Sequence, residues 1–60
     1  MSGFILKIDS LGNAAFSDQP NEEIARILRE AAKNIESGLT NGVVRDGNGN
    51  KVGTWEINLP

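Results

Sequence analysis

Pro20-Asn21-Glu22-Glu23-Ile24-Ala25-Arg26-Ile27-Leu28-Arg29-Glu30-Ala31-Ala32-Lys33-Asn34-Ile35-Glu36-Ser37 is the stretch that decides the fold. Ile24, Ile27, Leu28, Ala31 and Ile35 recur at i, i+3, i+4, i+7 and i+11, one apolar stripe at the helical period. Glu22, Arg26, Arg29, Glu30, Lys33 and Glu36 fall on the far side, and Glu22 to Arg26 is an i,i+4 ion pair worth about 0.3–0.5 kcal/mol. Proline is favoured in a first helical turn and disfavours the α region just before it, which places the N-cap at Gln19, with Asp18 as the alternative. Glu22 and Glu23 then complement the positive end of the helix dipole. Phe16 is positioned to staple onto Ile24, and Gly38 supplies the left-handed residue that ends a helix, with Leu39 folding back on the last turn.

Outward from that helix the period changes to two. Phe4, Leu6 and Ile8 alternate with Ile5, Lys7 and Asp9, which predicts a strand over Phe4–Asp9. Ser10-Leu11-Gly12-Asn13 reads as a turn, after which Ala14-Ala15-Phe16 either returns as a short second strand or does not pair, alanine being a poor strand former. Beyond the helix, Val43-Val44-Arg45 and Lys51-Val52-Gly53-Thr54-Trp55-Glu56-Ile57 read as a hairpin joined by Asp46-Gly47-Asn48-Gly49-Asn50. Strict alternation puts Trp55 and Ile57 on one face and Val52, Thr54 and Glu56 on the other. Gly53 suggests a bulge or a close approach of the helix. Asn58-Leu59-Pro60 reads as a frayed tail.

The expected architecture is α+β: a small antiparallel sheet of three to four strands with one amphipathic helix on one face, a single domain over residues 1–60. Sixty residues bury only about 60% of the surface the unfolded chain exposes, so the core is marginal. The sequence contains no cysteine and no histidine, which removes disulfides, thiolate metal sites and the commonest general base. A helix covers one face only, so Ile5, Val52 and one of Val43 and Val44 are expected on the uncovered face. Such a face, or an unpaired edge, is a ready surface for homodimerisation.

Charge excludes little. Six basic against eight acidic residues give a net charge of −2, too mild to favour nucleic-acid binding. The N-terminal residues show no basic region and only three consecutive large apolar residues, so they do not read as a signal peptide. No run approaches the roughly 18 apolar residues of a membrane span. The expectation is a cytoplasmic protein that binds no membrane.

Candidate chemistry is thin. Asp46, Asn48 and Asn50 imitate the start of a calcium loop, but an EF-hand needs glycine at the sixth position and glutamate at the twelfth, where Lys51 and Ile57 stand. The plain turn is the stronger reading, and no cofactor or metal is expected. The serines have no histidine partner, and the helix glutamates have no apolar pocket to raise their pKa values, so no catalytic residue is assigned and an enzyme is not expected. Arg26, Arg29 and Lys33 form a basic ridge interrupted by acids, which reads first as a solvated face. Trp55 is the one large aromatic able to anchor an interface, although a lone tryptophan is more often core. The residues carried forward as interaction candidates are Ile5, Val52, Trp55, Asp46, Asn48, Arg26 and Arg29.

Asn13-Ala14-Ala15-Phe16, Glu23-Ile24-Ala25-Arg26-Ile27-Leu28 and Arg45-Asp46-Gly47-Asn48-Gly49-Asn50-Lys51-Val52-Gly53, in that order and spacing, resemble a group of very short uncharacterised proteins encoded by bacteriophages and prophages. The resemblance spans about residues 13 to 55 and brings no site residues with it. It implies an accessory phage protein of the bacterial cytoplasm, and small phage proteins without enzymatic residues often bind and block a host factor. Together with the uncovered sheet face this makes the leading expectation a homodimer that binds or inhibits a host protein such as a defence factor. The runner-up is a structural or regulatory module touching nucleic acid through Arg26, Arg29, Lys33 and Arg45.

Overall fold

The computed structural model describes residues 2–12 and 14–59. Strand β1 (Gly3–Ile8) is followed by a single 3₁₀ turn (Ala14–Phe16), helix α1 (Pro20–Glu36), and strands β2 (Asn41–Arg45) and β3 (Lys51–Asn58). The sheet is antiparallel in the order β1-β3-β2, so β3 is central and both β1 and β2 are edges. This is the α+β architecture expected, with three strands.

Residues 14–16 make no strand. Ser17 N–H and Oγ both close onto the Ala14 carbonyl, a tight turn that buries Phe16. The two alanines follow their weak strand propensity, and Phe16 takes its place under the helix. Of the preceding turn, Asn13 lies outside the described residues, as does Pro60 of the expected tail, although β3 runs on through Asn58.

The helix has the expected bounds, with Gln19 at the N-cap and Ser37 at the C-cap. Gly38 adopts φ +105°. Its N–H reaches Ile35 O, and Leu39 N–H reaches Asn34 O, the paired bonds of a Schellman motif. The roll of the helix differs from the symmetric stripe. Ile27 and Ala31 are buried, Ile24 and Ile35 partly so, and Leu28 is half exposed. At about 100° per residue, Ile27 and Ala31 mark a line to one side of the stripe's centre, and Leu28 lies beyond its other side. The helix is turned toward β2, the strand it lies over. That rotation draws in Glu23, one turn before Ile27.

A β-bulge controls the face of β3. Val44 pairs with Gly53 and Arg45 with Lys51, so Val52 is the extra residue between them. The bulge turns its side chain inward, and Val52 is 1% exposed among Phe16, Ile27, Ala31, Val44 and Trp55. The expectation that Val52 faces the uncovered side is thus corrected; only Thr54 and Glu56 keep to that side of β3. Gly53 marks the bulge as expected, but the chain crowding it is β1 rather than the helix. A Cβ there would overlap the Lys7 carbonyl.

The core is closed on the β2 side and open on the β1 side. Val44, Val52 and Trp55 are buried, while Leu6, Ile8 and Ile57 only rim the cluster. Phe4 stands 50% exposed, touching Trp55 with ring centroids 6.3 Å apart.

Candidate functional site

Three places were open to function: the loop 46–50, the basic residues of the helix, and the uncovered sheet face. The loop is built as a turn. Gly49 N–H donates to Asp46 O at 3.0 Å, Asp46 N–H donates to Asn50 O at 2.9 Å, and Gly49 adopts φ +85°. This is a three-residue hairpin loop with glycine in the left-handed position. The Asp46 carboxylate, 4% exposed as a residue, accepts the N–H groups of Asn48 and Asn50 through Oδ1, both at 2.9 Å. Its Oδ2 receives the Asn50 amide. Asp46 therefore organises its own loop, and among the described residues no three metal-ligating side chains cluster.

The helix cation Arg26, its side chain still 38% exposed, is turned toward the hairpin, and its partner is not Glu22. Its guanidinium makes a two-point pair with Glu23, Nε to Oε1 at 3.0 Å and one Nη to Oε2 at 3.1 Å. The same nitrogen donates to the Arg45 carbonyl at 3.1 Å. Glu23 in turn accepts the Gly47 N–H at 2.6 Å. The Arg26 hydrogen bond, with Gly47 assisting, outweighs desolvation and holds the Glu23 carboxyl below the usual glutamate range; the same pairing holds Arg26 above its own usual value. This set of bonds is a clasp between the first helical turn and the hairpin tip. A sign was available in sequence, since Glu23 lies one turn before the buried Ile27, but the loop it would meet was not.

Between α1 and β2 lies a cleft of about 180 Å³ lined by Arg26, Glu30, Asn34, Arg45 and Trp55, among others. Its two guanidinium groups are engaged by the hairpin, Arg45 reaching the Gly49 carbonyl at 3.1 Å. Trp55 Nε1 is buried without a hydrogen-bond partner, its ring lying over Gly42, where a Cβ would come within 2.6 Å of that nitrogen. The cleft is a packing seam with a sealed indole behind it.

The seven interaction candidates therefore divide. Val52, Trp55 and Asp46 are interior and offer no surface; Arg26 is spent on the clasp. Ile5, Asn48 and Arg29 remain exposed. Of these, Ile5 shares the uncovered sheet face with Val43, Lys7, Thr54 and Glu56, whereas Asn48 is at the hairpin tip and Arg29 on the helix. Phe4, not singled out from sequence, is the other large exposed apolar side chain of β1.

These features define a small α+β domain whose antiparallel sheet is covered on one face. No protein-family model, curated protein or solved structure matches the chain. No helix among the described residues is long and apolar enough to cross a membrane.

Proposed function

We propose that this chain is a protein-interaction module, homodimeric, that works by binding another protein through the sheet face the helix leaves uncovered. The observation carrying this reading is the exposure of Ile5 (59%) and Val43 (46%) on that face. Ile5 on β1 and Val43 on β2 stand on either side of Thr54 and Glu56 of β3, so the face offers a partner two apolar contacts with polar groups between them. The resemblance to small phage proteins supports a bacterial host protein as the partner, with inhibition as the consequence of occupancy. The nucleic-acid alternative is less well supported, because Arg26 and Arg45 are turned to the hairpin.

A tagged chain used against bacterial lysate tests this. The native chain is expected to retain a specific protein that the Ile5→Asp/Val43→Asp double variant, folded by circular dichroism, does not retain. Equal retention by both, or none by either, overturns the reading.

A further inference from the structure

We infer that two copies of this chain join through the open edge of β1, antiparallel about Leu6, into one continuous six-stranded sheet. This rests on the homodimer just proposed and specifies its interface.

The backbone supplies the first reason. Asp9 N–H donates to Val52 O, and Ile8 is opposite Gly53, so the alternation of an antiparallel ladder assigns residues 3, 5, 7 and 9 to β3. The N–H and C=O groups of Phe4, Leu6 and Ile8 then point away from the sheet. An edge of this kind, in a strand reading Gly-Phe-Ile-Leu-Lys-Ile, is a template for another strand. The other edge is poorer. On β2 the outward groups belong to Asn41, Val43 and Arg45, and the Arg45 carbonyl already accepts from Arg26 beside the bulge.

Side chains select the register. A two-fold axis at Leu6 pairs Leu6 with its symmetry mate and Phe4 with Ile8 of the second copy, using all three outward residues in each strand. The rim of Phe4, Leu6 and Ile8 then meets its own copy, where the core is open. Moving the axis to Lys7 would set two ammonium groups directly opposite. Moving it to Ile5 would leave Ile8 without a partner.

Charge agrees. A lysine within an edge strand commonly discourages pairing, and Lys7 does disfavour the register centred on itself. In the Leu6 register it lies instead beside the second copy's Ile5, with that copy's Glu56 on the next strand. Two strand spacings, about 10 Å between Cα atoms, suit a lysine and a glutamate reaching toward each other. Within one chain neither side chain has an ion-pair partner among the described residues.

The test is sedimentation equilibrium of the full chain with two variants, followed by cross-linking. The native chain is expected to dimerise. Ile5→Lys, which places a second lysine opposite Lys7, is expected to weaken the dimer about tenfold or more while keeping the far-ultraviolet spectrum. Val43→Lys, on the same face but beyond β3, is expected to leave it intact. Because the chain has no cysteine, an oxidised mixture of Ile5→Cys and Lys7→Cys chains reports the register directly. Positions 5 and 7 face each other at about 4.5 Å between Cα atoms, within disulfide range, whereas position 5 and its own mate are about 8 Å apart. The mixed disulfide should dominate, and this holds the proposal to account even if Ile5→Lys fails to fold. A native chain that stays monomeric, a dimer weakened by Val43→Lys rather than Ile5→Lys, or cross-linking of Ile5→Cys alone as fast as the mixture overturns it. No host protein enters these measurements, so a monomer that still captures a partner overturns the pairing and leaves partner binding standing.

Discussion

Glu23 and Gly47, twenty-four residues apart, are joined by a 2.6 Å hydrogen bond from the Gly47 N–H to the Glu23 carboxylate. With Arg26 bridging to the Arg45 carbonyl, that bond ties the first turn of the helix to the tip of the hairpin. The clasp closes the helix onto the β2 side of the core, while on the β1 side Leu6 and Ile8 only rim the core and Phe4 stays half exposed.

The clasp makes stability depend on acid. Glu23 titrates below its ordinary range in the folded chain, so the unfolded chain takes up the proton first as pH falls. Its contribution is complete above the unfolded value, near pH 4.3, and is lost as pH drops through that value toward the folded one. Glu23→Gln is expected to be less stable than the native chain at pH 7, with the gap narrowing below pH ~4. Urea melts followed by Trp55 fluorescence at the two pH values measure it.

The bulge at Val52 predicts an asymmetry that simple alternation does not. Val52→Asp buries a carboxylate in the core and is expected to unfold the domain, whereas Thr54→Asp, two residues on and exposed, changes stability by about 0.5 kcal/mol or less. Thermal melts by circular dichroism compare the two.

Glycines offer a graded series. Gly53→Ala drives a methyl into the Lys7 carbonyl, and Gly42→Ala drives one into the Trp55 ring; Gly3 has open space around it. Overpacking of this kind costs about 1–3 kcal/mol, so the first two variants should melt well below the native chain while Gly3→Ala matches it. Backbone yields less readily than a side chain, and Gly53→Ala should be the worse of the pair.

Trp55 combines a packed ring with a buried, unpartnered N–H. Trp55→Ala is expected to cost about 3–5 kcal/mol. Trp55→Phe loses volume but also removes that N–H, whose desolvation costs about 1–3 kcal/mol. Its loss in denaturant melts should therefore be much the smaller.

Legibility in the sequence followed the range of the interactions. The bounds of α1 were readable because Pro20, Gly38 and the Ile24–Ile35 stripe act within a turn or two of themselves. The hairpin was readable because Asp46–Asn50 carries its own turn chemistry. Leu28 and Arg26 lie elsewhere than the stripe suggests, because the roll of a helix depends on which strand it lies over. Val52 falls on the uncovered face only if strict alternation is carried through the bulge beside Gly53, whereas Trp55, a candidate as the one large aromatic, takes the core position that a lone tryptophan more often has.

The sequence by itself determined one helix, a hairpin and a further strand, since periodicity and caps are properties of neighbouring residues. Tertiary structure alone decided that β3 lies between β1 and β2, that Arg26 reaches the hairpin, and that Phe4 stays exposed while Val52 does not. Those outcomes depend on strand order and register, contacts between residues far apart in the chain, whose closure no local pattern encodes.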